Sequence, residues 1–388
     1  MRLRCTHSKA WVQSLIVCLA ISTLGAVRAP EGAHVASAAP VFSAVAKATR
    51  WDGTQFLRVD RKGHVFLVRS GESFDIFPLS QGQLGKRQRL IGEGKWGEPP
   101  TDVAVNSSGD QWAVLSENRV LWVKEGKQVS TPEVGWFATS VTFLGDTPAA
   151  AVLPMSVGRK FTDKPVSIPP LILKLGRNSW ETLVEGELPQ RSREQNPFNA
   201  LFAEHTLKLS ADARHRLWAA YPFAGRVVRF TPAGRLDTEI VLGTGNPEYG
   251  KEDEQDRKAF EESLSKAGYD TSGAQAGLFT AKTALHGMAV SHRDGMLYMV
   301  LGQGVTRTRP LLARYNSVSI AVETLPLRLP FEGDVSMAAG HDGLYIAGAD
   351  RSTGCWWMSW ESLDGTFWED FPQAEVSGRT ATRHTATR

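Results

Sequence analysis

Residues 204–242 hold four short period-2 segments separated by tight turns, and degenerate copies of that unit recur along most of the chain. Glu204 to Leu209 alternates apolar and polar, and a polar turn leads into Arg216-Leu217-Trp218-Ala219-Ala220-Tyr221. Gly225 opens Arg226-Val227-Val228-Arg229-Phe230, and Pro232-Ala233-Gly234 turns the chain into Leu236 to Leu242. Such a pattern describes one antiparallel four-stranded sheet. A lone sheet of this size cannot bury both faces, so only repetition makes it foldable.

The copies open at Gln55 to Val59 with His64 to Val68, at Thr101 to Val105 with Gln111 to Leu115, and at Thr139 to Phe143 with Ala149 to Leu153. The unit at 204–242 is the fourth. The fifth runs from His286 to Val290 with Met296 to Leu301, and the sixth from Asp334 to Ala339 with Leu344 to Gly348. A spacing of roughly 40–50 residues between four-stranded units predicts an all-β, six-bladed β-propeller rather than a sandwich. The blades are expected near 51–95, 96–135, 136–186, 202–245, 284–328 and 331–373, within one domain over 40–376. Val41 to Ala46 offers a further strand against Trp368 and Phe371, and the polar residues 377–388 read as a disordered tail.

The apolar–Asp/Ser–turn–Gly openings and the Val227-Val228-Arg229-Phe230-Thr231-Pro232-Ala233-Gly234-Arg235-Leu236 ending resemble six-bladed propellers of the NHL-repeat and SMP-30 (gluconolactonase-like) group. The resemblance covers about residues 51–371, and many unrelated propellers share such motifs. It implies the fold and not an activity.

Residues 1–39 form a leader. Arg2, Arg4 and Lys9 precede a mostly apolar stretch from Ala10 to Ala26, and Ala36-Ser37-Ala38 suits cleavage. The expected product is a secreted or periplasmic, monomeric protein with no integral membrane segment. A formal net charge of +3 argues against a nucleic-acid partner held by counterion release. Beyond the leader only Cys355 remains, so no intramolecular disulfide is available, and its apolar neighbours mark it as a packed thiol. A Gly-x-Ser-x-Gly elbow, a phosphate-binding Gly-Lys-Ser/Thr loop, His-Glu-x-x-His and Cys-x-x-Cys-His are all missing. The twelve Trp and seventeen Phe are expected to wedge between blades.

Four segments break the period: 154–169, 185–203, 243–285 and Gly302 to Pro310. In a propeller these join second to third strands, or one blade to the next, and so leave from one face, here termed upper. The insertion 246–283 between blades 4 and 5 should carry a short helix over Glu252 to Ala267, ended by Gly268.

Superposing the first strands on their apolar pairs places Gln55, Thr101, Thr139, His205 and His286 at one position, with Gly333 or Asp334 from the sixth copy. These side chains are expected to ring the upper channel mouth. His205, His286 and Asp334 are the candidate ligands of a divalent metal such as zinc or calcium. Amidating-lyase-like NHL propellers use histidines near the axis, and the resemblance extends to this ring, although no third His falls in the position. Two functions follow. One is a non-catalytic binding module that takes a small molecule or protein through its upper-face loops and channel, with no certain cofactor. The other is a metal-dependent lyase or hydrolase, with Asp334 as ligand or base and Tyr221 or Arg307 steadying a developing anion.

Overall fold

The computed structural model describes residues 41–45, 54–70, 74–90, 100–116, 119–156, 170–186, 206–222, 224–242, 285–302, 310–329, 335–348 and 354–378. They form six antiparallel sheets whose innermost strands are Thr54–Val59, Asp102–Val105, Trp136–Leu144, Lys208–Ala211, Leu285–Val290 and Val335–Ala339. Each innermost strand contacts the next, and the last contacts the first, so the ring closes as a six-bladed propeller.

Every blade is pleated from short strands with apolar residues on both faces, because each face is covered by a neighbouring blade. Six buried clusters result, one at each interface. Trp112 fills the interface of blades 1 and 2, Trp218 that of blades 4 and 5, and Trp360 with Trp368 that of blades 5 and 6. The expected wedging of aromatics is therefore seen at these interfaces. A side chain of that size contributes roughly 1.5–3 kcal/mol when buried. Gly63, at φ +80°, lets the first hairpin of blade 1 touch blade 6: a Cβ there would lie 2.8 Å from the His341 amide nitrogen. That amide instead donates to the Gly63 carbonyl at 2.8 Å.

Ring closure uses the start of the described chain. Ser43–Ala44 is the outermost strand of blade 6 and pairs with Trp357 and Trp356, while the Val45 amide donates to the Cys355 carbonyl at 2.8 Å. The strand expected at 41–46 thus exists, but its partner is not Trp368 or Phe371. Cys355–Ser359 is the third strand of blade 6 and presents the open edge.

Trp368 and Phe371 belong instead to a C-terminal arm, which the repeat pattern did not announce. After the short helix α1 (Trp360–Asp364), capped by the Ser359 hydroxyl, the chain runs back along the rim. Glu369–Asp370 pairs with the outer strand of blade 5 and Glu375–Gly378 with that of blade 4, giving each a fifth strand. Ser377 and Gly378 are paired with Glu239 and Thr238, so two residues of the expected tail lie in a strand. Among the described residues α1 is the one α-helix, and the helix expected at Glu252 to Ala267 lies outside them. No described helix is long and apolar enough to cross a membrane.

Candidate functional site

The first two strands of each blade define the positions around the channel. Ladder partners place Val59, Val105, Ala211, Val290 and Ala339 at equivalent points, opposite Val65, Trp112, Leu217, Leu297 and Leu344. Counting back along each strand, the position occupied by Gln55, Thr101 and His286 belongs in blade 4 to Leu207 and in blade 6 to Val335. Thr139 lies at the same level in blade 3, its hydroxyl donating to the Leu207 carbonyl at 3.3 Å.

This register corrects the superposition made on apolar pairs. Blade 4 carries a third alternation, Leu207–Leu209–Ala211, and the small Ala211 escaped an alignment that sought large residues. The turn residue was the better signal. Asp212 follows Leu207 at the spacing that separates Ser291 from His286, and both open their hairpin with an amide bonded across the turn. His205, Asp334 and Arg307 themselves lie outside the described residues. Among those described, no three His, Cys, Asp or Glu side chains gather as a metal site.

One position further along, side chains of blades 2, 3 and 6 stitch one innermost strand to the next. Asp102 Oδ2 accepts the Val141 amide at 2.9 Å and the Ser140 hydroxyl at 2.5 Å. Ser140 Oγ accepts the Leu209 amide at 3.0 Å, and Ser336 Oγ accepts the Leu57 amide at 2.8 Å. These oxygens satisfy amides that a strand at the centre of the ring cannot pair with its own blade, and an unmade buried bond is expensive. Arg58 ties the same region together: its guanidinium donates to Asp102, the Val103 carbonyl, the Leu57 carbonyl and Ser336 Oγ.

Blades 1, 4 and 5 depart from this pattern, and Phe56 fills the position in blade 1. Lys208 occupies the stitching position, and its ammonium donates to the His286 carbonyl at 2.9 Å. Gly287 occupies it in blade 5, where a Cβ would lie 2.6 Å from the Val335 carbonyl oxygen. His286 sits at an irregularity in the ladder, between the Leu285–Leu301 and Gly287–Val300 pairs. Tyr221 packs in the cluster between blades 3 and 4 with Arg226 over its ring at 4.9 Å, whereas Leu285 and Met288 pack between blades 4 and 5.

At the lower mouth, turn residues cap their own hairpins. Asp60 accepts the His64 amide and imidazole at 2.9 and 2.8 Å, Asn106 accepts the Gln111 amide at 3.0 Å, and Asp212 accepts the Arg216 amide at 2.9 Å. His64, His215, His292 and His341 all fall in these first hairpins, at the opposite ends of the strands from the upper mouth, as the turn positions in the sequence indicate. Burial holds the His292 imidazole below its usual pKa, with Asp212 and Asp60 opposing that shift.

Cys355 is buried, and desolvation raises its thiol pKa from 9.0 to about 12, against the opposing pull of Arg69. At pH 8 a thiol reagent should leave Cys355 unlabelled in the folded protein and modify it once denaturant is added. Rapid labelling of Cys355 in the folded form would contradict this burial. The folded pKa is the higher one, so the contribution of Cys355 to stability is intact below pH 9 and is lost as pH rises towards 12.

No protein-family model and no curated protein matches the chain. Solved structures do resemble it. One titled as a streptogramin B lyase shares 11% identity and a TM-score of 0.43, covering 84% of this chain and 100% of that one. The structure of U3-55K shares 9% identity and a TM-score of 0.47, covering 81% and 98%. A DUF4221 member from Bacteroides vulgatus shares 9% identity and a TM-score of 0.43, covering 88% and 99%.

Proposed function

We propose that this chain is an exported propeller of the NHL-repeat or SMP-30-like kind that binds a small molecule or protein through its upper face and channel mouth. The supporting observation is where the polar groups are engaged. Arg58, Asp102, Ser140 and Ser336 on the channel wall stitch blade to blade, and Asp60, Asn106 and Asp212 cap turns. None of these is presented as a nucleophile with its base. The described strands that flank each period-breaking segment end and begin on the upper face. Long connections on a rigid scaffold are where recognition residues gather.

The test replaces residues 246–283 by a short Gly-Ser linker and compares molecules retained from the native source with those held by wild type and by a lower-face Arg214→Ala control. Loss on shortening alone is expected. Equal retention by all three proteins would sink the upper-face reading. The metal-dependent lyase or hydrolase is the second reading, with His205, His286 and Asp334 as its ligands. Elemental analysis of wild type beside His205→Ala/His286→Ala decides it, since equal, near-zero metal in both removes the site.

A further inference from the structure

We infer that His64 and His341, on neighbouring hairpins of blades 1 and 6 at the lower mouth, form a two-imidazole site for a divalent transition-metal ion. The inference goes beyond the upper-face binding reading and does not depend on it. The ring centres lie 6.1 Å apart with their planes at 80°. Each residue belongs to the first hairpin of its blade, and the innermost strands of the two blades touch where the ring closes.

The pair is singled out by the nitrogen each ring has left over. His64 Nδ1 lies 2.8 Å from Asp60 Oδ2, and His341 Nδ1 lies 3.0 Å from the Gly63 carbonyl oxygen. A carboxylate and a carbonyl only accept, so both Nδ1 atoms donate and each neutral ring keeps its lone pair on Nε2. Metal-ligating imidazoles are oriented by just such a second bond to a carboxylate or backbone carbonyl. Among the described residues neither Nε2 has a hydrogen-bond partner, and both side chains are exposed.

The two supporting groups are themselves fixed. Asp60 is 2% exposed, and its Oδ1 accepts the His64 amide at 2.9 Å. The Gly63 carbonyl also accepts the His341 amide at 2.8 Å, so one oxygen sets both the backbone and the ring of His341. Two imidazoles on one tetrahedral ion, with metal–nitrogen bonds of about 2.1 Å, have ring centres about 5–5.5 Å apart. The observed separation exceeds this by roughly an ångström at most, which exposed side chains close by turning about χ1 and χ2. No third His, Cys, Asp or Glu joins the pair among the described residues, and water fills the remaining positions. Arg61 and Lys62 on the blade 1 turn oppose a cation, while Asp60 and Asp342 beside the imidazoles offset them. Imidazole and water ligands favour copper(II) over nickel and zinc. Bound there, the ion bridges the first and last blades and stabilises the closed ring, because the unfolded chain does not hold the two rings together.

Calorimetric titration of the full chain with copper(II), in a buffer without amines, tests the inference. The expected result is a saturable site whose affinity falls at least tenfold in His64→Gln and in His341→Gln and is unchanged in the blade 4 control His215→Gln. Less than a tenfold loss in either variant, an equal loss in the control, or no saturable binding overturns the site. Where a variant fails to fold, wild type reports instead: copper(II) should protect His64 and His341, and not His215, from diethyl pyrocarbonate, read by mass spectrometry. Protection of neither imidazole, of one alone or of all three overturns it equally.

Discussion

Asp102→Ala should lower the stability of the protein by about 3–5 kcal/mol, read as a reduced urea midpoint, because it leaves a charge and several donors uncompensated in the wall. The Asp102 carboxylate faces Arg58 on one side and the Val141 amide and Ser140 hydroxyl of the next blade on the other. Its Oδ1 also accepts its own strand's Val103 amide at 2.8 Å. Removing it strands the Arg58 guanidinium, whose remaining acceptors are two carbonyls and Ser336 Oγ. Replacing both charges together, as Arg58→Met with Asp102→Leu, should recover much of the loss, since no buried charge is then unpaired. A loss under 1 kcal/mol for Asp102→Ala would mean that the stitches do not hold the innermost strands together.

The second large effect concerns the arm. A chain ended at Gly365 should lose roughly 3–6 kcal/mol, since Trp368 and Phe371 are buried in the clusters of blades 5/6 and 4/5 and each is worth about 1.5–3 kcal/mol. The arm is also held by Arg314, whose guanidinium lies 4.2 Å from the Trp368 ring centre while its Nε donates to Glu323 at 2.6 Å. The loss should be local. Amide exchange should quicken in Leu236–Val241 and Ala321–Pro326, which the arm covers, and stay unchanged in Trp180–Glu185 of blade 3, which it does not. Ending the chain after Gly378 should leave all three unaffected. Uniform acceleration across the blades would show that the arm stabilises the whole ring rather than two edges. Edge strands left open invite pairing with other chains, so the shortened protein should also aggregate sooner on heating.

Much of the fold was legible because blade strands announce themselves locally. Alternation and Gly- or Asp-bearing turns mark each hairpin, and the six-bladed, antiparallel architecture they predict is the one formed. The arm was not legible. Glu369–Asp370 and Glu375–Gly378 are short and polar, and their strand character comes from the edges they meet. The candidate site was half legible. His286 stood out in the sequence, but its equivalents Leu207 and Val335 emerged only from cross-strand pairing.

Local periodicity determined the number of blades, their order and the pleat of each strand, since those depend on residues a few positions apart. Tertiary structure alone decided the register between repeats, the closing role of Ser43–Ala44 and the route of the arm. It also decided which charges meet: Arg58 with Asp102, and Lys208 with the strand bearing His286. Those contacts join residues far apart in the chain, and their energies depend on burial and distance, which no local pattern encodes.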